Sequence, residues 1–142
     1  MQVREIMHTP AVTVQLDDLL REVKTIFDAD VVHHVMVVEE ERLVGLISER
    51  DLLRAISPYL ATHVYTTRDL ATLHQRVHQI VARHPMHLPP EATVQDAIGI
   101  FNAHHLDCIP IVDAQGVPLG MLTRADIVRH FHTICADGRI VS

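Results

Sequence analysis

Gly45-Leu46-Ile47-Ser48-Glu49-Arg50-Asp51 returns farther along the chain as Gly120-Met121-Leu122-Thr123-Arg124-Ala125-Asp126. In both copies a glycine and two apolar residues lead to a hydroxyl residue, an aspartate follows three positions after it, and a fresh apolar-periodic run begins. The pattern reads as a strand turning into a helix. Ser48 and Thr123 are N-cap candidates, each accepting a backbone N–H, with the later aspartate facing the positive end of the helix. Such a turn also exposes backbone N–H groups, hence an anion site, beside a carboxylate able to accept hydrogen bonds from a sugar diol. A single copy is an ordinary cap; the repetition favours a binding role.

The rest of the chain repeats with it. At an offset of 74 residues, Val3-Arg4-Glu5-Ile6-Met7 aligns with Val77-His78-Gln79-Ile80-Val81, and Val35, Val37 and Val38 with Ile109, Ile111 and Val112. The offset becomes 75 because the loop Glu39 to Leu43 is one residue shorter than Asp113 to Pro118. Each half has a short helical lead-in, a strand (Ala11 to Val14, Pro85 to Leu88), and a helix with apolar residues spaced at 3, 4 and 7. Two strands follow, Val35 to Val38 with Leu43 to Ile47 and Cys108 to Val112 with Leu119 to Leu122, joined by hairpin-length loops. Closing helices are expected over about Glu49 to Ile56 and Arg124 to Ile134.

A unit of roughly fifty residues buries too little surface to stand alone comfortably, so the two halves are expected to stack. The expected domains are a first repeat over residues 1–58, a partly helical linker over 59–76, a second repeat over 77–136 and a tail over 137–142. Thr67 and Asp69 can start a helix carrying Leu70, Leu73, Val77 and Ile80, so the linker is predicted to become the lead-in helix of the second half.

With 142 residues and 48% hydrophobic content the chain can bury a real core. A net charge of −6 with no Lys/Arg cluster disfavours nucleic acid as a partner. Apolar runs of only a few residues give neither a membrane span nor a secretory signal, so a cytoplasmic protein is expected. Cys108 and Cys135 lack any CxxC spacing and read as buried thiols in a reducing compartment. The twelve histidines include the pairs His33-His34 and His104-His105, but these are not repeat-equivalent and no HExxH pattern exists, so no metal site is expected. No nucleophile elbow, Walker loop or Cys/His pair in a recognisable context appears, so the chain is not read as an enzyme.

The duplicated β-α-β-β-α grammar and the paired Gly-apolar-x-[Ser/Thr]-x-x-Asp stretches resemble a tandem cystathionine-β-synthase (CBS) domain pair, or Bateman module, from about Val3 to His132. The resemblance implies an α+β fold of two such repeats packed as a pseudo-twofold pair. It further implies a stand-alone regulatory module with no required cofactor, binding AMP, ADP, ATP or S-adenosylmethionine in a cleft between the repeats. A homodimer and an unidentified regulated protein are the expected partners. A dimerisation or protein-interaction scaffold without a physiological nucleotide is the alternative.

By family position, Asp51 and Asp126 would accept hydrogen bonds from ribose hydroxyls, a role that suits a carboxylate. Ser48 and Thr123, with the N–H groups behind them, would face phosphates, which Arg50 and Arg124 would help neutralise. Thr13 and His87 would add polar contacts from the first strands. Adenine would lie against Val35-Met36 and Ile109-Pro110, with Val14 and Leu88 as further walls. Family members often have proline where Pro110 stands, Met36 replaces it in the first half, and Glu39-Glu40-Glu41 lies nearer that half. The Asp126 copy is therefore expected to be the better site.

Overall fold

The computed structural model describes residues 1–29, 31–62 and 64–136; the expected tail 137–142 lies outside them. It is a mixed α/β chain that divides into two compact units. One comprises Thr13–Glu40 and Val44–His84, the other Met1–Val12, Glu41–Leu43 and the chain from Pro85 onward. They are called the 13–84 and 85–136 units below.

In the 13–84 unit, β1 (Thr13–Gln15) runs parallel to β2 (His34–Glu39), β3 (Arg42–Ser48) follows, and β4 (Ala82–Arg83) closes the sheet antiparallel to β3. Val35, Met36, Val37 and Val38 are all buried, the unbroken apolar run expected of a strand covered on both faces. α1 (Leu20–Asp28) buries Leu20, Val23 and Phe27, one stripe at helical spacing, and α2 (Glu49–Ala55) buries Leu52.

The 85–136 unit repeats this order. Leu88 bridges in parallel to Ile111 of β5 (Cys108–Val112), which pairs antiparallel with β6 (Pro118–Thr123), and His8 bridges to the far edge of β6 at Met121. The expected strand Pro85 to Leu88 thus shrinks to Leu88, whose N–H and C=O bond Pro110 O and Val112 N. α4 (Val94–His104) packs Val94, Ala97 and Phe101 into a core shared with Val3, Ile6, Ile109, Ile111, Leu122 and Ile134.

The units therefore do not follow the duplicated sequence. Each takes its lead-in from the other repeat: the 3-10 turn Val3–Glu5 belongs with the second repeat's body, and Val77–Gln79 with the first's. The hydrogen bonds are themselves duplicated. Val3 N and Arg4 N donate to Ala92 O and Pro90 O, just as Val77 N and His78 N donate to Asp18 O and Leu16 O.

Crossing brings the chain onto the motif glycines. A Cβ on Gly120 would stand 2.8 Å from His8 O and 2.9 Å from Met7 Sδ. One on Gly45 would overlap Val81 Cγ2 and stand 3.0 Å from Ala82 O. Both glycines are needed because a second strand passes over them, with His8 and Met121 exchanging N–H···O bonds of 3.0 and 3.1 Å.

The linker corrects the expectation of a helix running into the second half. α3 covers only Thr67–Ala71, a 3-10 turn Thr72–His74 follows, and the chain is extended at Gln75, with ψ 152°. Tertiary contacts override the helical periodicity there. Gln75 O accepts from Leu20 N, while its side chain donates to Ala55 O and Thr72 O at 2.9 Å each. Helix capping also moves from Thr67 to Thr66. Ser57 clamps the segment, its N–H donating to Thr72 Oγ1 and its hydroxyl to Asp69 Oδ1 at 2.7 Å. The last helix is likewise divided into α5 (Arg124–Arg129) and α6 (Phe131–Ala136), where the His130 ring donates to Asp126 O.

Two predictions follow from this packing. Gly120→Ala should destabilise the protein by about 1–3 kcal/mol, because backbone blocks the new methyl. Gly99→Ala, in α4 with open space around it, should stabilise by roughly 0.5–1 kcal/mol. Urea unfolding of the pair checks the opposite signs.

The second concerns acid. The Thr66 backbone N–H, then the Ser57 hydroxyl, hold the Asp69 carboxyl below its ordinary value of 3.8. A folded-state value lower than the unfolded one adds stability above 3.8 that is lost as pH falls further. Amide protection over residues 57–62 and 64–75, with exchange corrected for the intrinsic rate, should fall in that acid window, and Asp69→Asn should remove the pH dependence.

Candidate functional site

The two cap motifs form as the spacing requires. Asp51 N–H donates to Ser48 Oγ at 3.1 Å and Ser48 N–H to Asp51 Oδ2 at 2.9 Å, a reciprocal capping box. Thr123 and Asp126 repeat it at 3.2 and 2.8 Å. Each box supports its helix by ~1 kcal/mol and fixes the carboxylate beside the first turn.

Sheet geometry then gathers the expected residues. β1 and β2 are parallel, with Thr13 opposite Met36, and β3 returns to the same end at Ser48. Glu49 N donates to His33 O at 2.9 Å, tying the start of α2 to the start of β2. Thr13, Val35-Met36, Ser48, Arg50 and Asp51 thus lie at one end of three adjacent strands, a span of ~10 Å. Thr13 and Arg50 are exposed, and Asp51 is half-buried. Val14, Val35 and Met36 are buried side chains of the sheet, leaving backbone as what they present at the strand ends. A separate hollow of about 320 Å³, lined by Gln15, Asp17, Glu39 and Arg83 among others, lies at the opposite strand ends and holds none of these residues.

In the 85–136 unit, His87-Leu88, Ile109-Pro110, Thr123 and Asp126 occupy the corresponding strand ends. Ile109 is a core residue and Leu88 packs against that core. His87 is exposed, its ring bonded to Pro85 O at 3.1 Å. Pro110, fully enclosed in β5, is tolerated because its nitrogen points to the same side as its carbonyl, toward the edge where only Leu88 pairs.

Arg124 does not join this group. Its Nε donates to Leu106 O at 2.7 Å and its guanidinium lies 6.0 Å from the Phe101 ring centre, so it closes the end of α4. It lines a hollow of about 360 Å³ with Ile98, Asn102 and Val128.

The carboxylates themselves differ. Asp126 is the one charged residue buried among the described residues, at 2% exposure. Besides Thr123 N–H, its Oδ2 accepts from His8 Nδ1 at 2.9 Å and its Oδ1 from Arg129 Nη1 at 3.2 Å. Asp51 has no basic partner among the described residues. Sequence spacing gives no sign of His8, which lies 118 residues from Asp126 and aligns with Ala82; Arg129, aligned with Arg54, is visible only as a repeated charge.

Nearby Cys108 is no nucleophile, since burial and the charges of Asp126 and Asp107 push its thiol far above the ordinary range. No group of three or more His, Cys, Asp or Glu placed to hold a metal ion occurs among the described residues. No helix among them is long and apolar enough to cross a membrane.

Known proteins share the fold. A CBS domain-containing protein of Dictyostelium discoideum is 27% identical over 128 residues, 89% of this chain and 88% of its own length. An inosine-5'-monophosphate dehydrogenase of Aquifex aeolicus is 31% identical over 130 residues, 89% of this chain but 24% of the enzyme. Among solved structures, CBSX2 in complex with AMP superposes with TM-score 0.77 at 22% identity, covering 94% of this chain and 98% of that one. A CBS domain pair in complex with 5'-methylthioadenosine and S-adenosyl-L-methionine gives 0.75, also at 22% identity, covering 94% and 97%. At such identities the likeness is one of fold. The CBS domain profile matches residues 3–58 and 77–133, most of the chain, and the protein belongs to the CBS domain family.

Proposed function

We propose that the chain is a regulatory module that senses an adenosine-containing ligand, AMP, ADP, ATP or S-adenosylmethionine, at the repeated cap motif. The observation that carries this reading is the placement of the capping carboxylate. It stands at a helix N-terminus, at the end of the sheet where three strands present backbone, so a ribose diol meets a carboxylate while phosphate or carboxyl groups meet N–H donors. Arg50, exposed and without a side-chain partner among the described residues, adds a cation there. The complexes of the structural relatives with AMP and with S-adenosylmethionine support the ligand class.

Sensing requires that the ligand bind two arrangements of the protein with different affinity, and a regulated partner would read that difference. We infer a cytoplasmic homodimer as the sensing form. Leu53 and Val128, repeat equivalents on α2 and α5, are 63% and 75% exposed, apolar side chains that a second copy of the chain would cover. Leu53→Glu/Val128→Glu should lower the mass seen by sedimentation velocity from dimer to monomer.

Calorimetric titration with the four ligands tests the sensor. Asp51→Asn/Asp126→Asn keeps an oxygen for each cap but removes the charge, and should weaken binding about tenfold or more. Failure of all four ligands to bind wild type at millimolar concentration would overturn the sensor and leave the interaction scaffold.

A further inference from the structure

The two copies of the motif are not equivalent as binding groups. Resting on the adenosine reading above, we propose that the ligand is taken by the Asp51 site and that His8 and Arg129 close the Asp126 site to it.

A carboxylate grips a vicinal diol by accepting from both hydroxyls, which needs outward lone pairs. Asp126 has given three of about four to the protein. Oδ2 serves the Thr123 N–H and the His8 ring, Oδ1 serves Arg129, and the residue is 2% exposed. An incoming neutral hydroxyl would have to displace either a guanidinium, which forms an ion pair with the carboxylate, or the imidazole N–H. It would also have to enter where the crossed lead-in holds His8 against β6 through two backbone bonds.

Asp51 differs at each of these points. The residue in His8's repeat position is Ala82, whose side chain cannot reach a carboxylate, and Arg54, the counterpart of Arg129, makes no bond to Asp51 among the described residues. Asp51 spends Oδ2 on the Ser48 N–H and is half-buried, so Oδ1 remains for a diol. The neighbouring arginines divide the same way, Arg50 being exposed while Arg124 is drawn to the end of α4.

AMP is the probe, followed by calorimetry and by NMR shifts mapped on each unit. Wild type should bind one AMP per chain. Asp51→Asn should abolish this binding, and Asp126→Asn should change it less than twofold. Arg129→Gln, a change at a side chain 67% exposed, is the variant least able to disturb folding. Combined with His8→Asn it should create a second AMP site. Binding at Asp51 with no second molecule in the double variant would overturn the closure while leaving the adenosine reading intact. Loss of AMP in Asp126→Asn, or weaker binding in Arg129→Gln, would also overturn it by making these residues ligand contacts. Should AMP, ADP, ATP and S-adenosylmethionine all fail to bind wild type and the double variant, the adenosine reading would fail and this assignment with it.

Discussion

The passage of a crossed lead-in strand over a side-chain-free backbone is the contact on which both units depend. Gly45 and Gly120 have no room for even a methyl because Val81-Ala82 and Met7-His8 lie directly on them. That approach closes each sheet, seats Val77 and Val3 in fully buried positions, and fixes where β3 and β6 end. The strand ends in turn set where the capping boxes start α2 and α5. A cap one residue displaced would aim its aspartate elsewhere, so the glycine and the aspartate six residues later act as one element.

In that element a single carboxylate is asked to satisfy a helix and to remain available to a ligand. Holding one N–H leaves it usable; holding one N–H and two basic side chains does not. The Asp126 cluster is well satisfied as a piece of protein structure. A buried carboxylate without partners would be costly, and the Arg129 guanidinium with the Thr123 and His8 N–H groups offsets that cost. Structural stability and ligand access pull in opposite directions at this one residue, and the two repeats have settled differently.

Much of this was legible in the order of residues. The doubled Gly-to-Asp motif, the 74- and 75-residue offsets and the apolar stripes of α1 and α4 are local patterns, and local patterns survive in sequence. The continuous linker helix was not correctly legible, because Leu70, Leu73, Val77 and Ile80 do have helical spacing. What breaks it at Gln75 is a set of bonds to Leu20, Ala55 and Thr72, none of which periodicity can announce. The break at His130 is local instead, a ring bonding a carbonyl four residues back.

The sequence by itself determined that there are two copies of a strand-to-helix capping turn, that each carries an aspartate at the third helical position, and which face of each helix is apolar. These follow from propensity and spacing within a few residues. Only the tertiary structure decided which body each lead-in joins, why the motif must begin with glycine, and that His8 reaches Asp126 across 118 positions while Ala82 leaves Asp51 alone. Contacts between residues far apart in the chain depend on the path of the backbone through space, and residue spacing carries no record of that path.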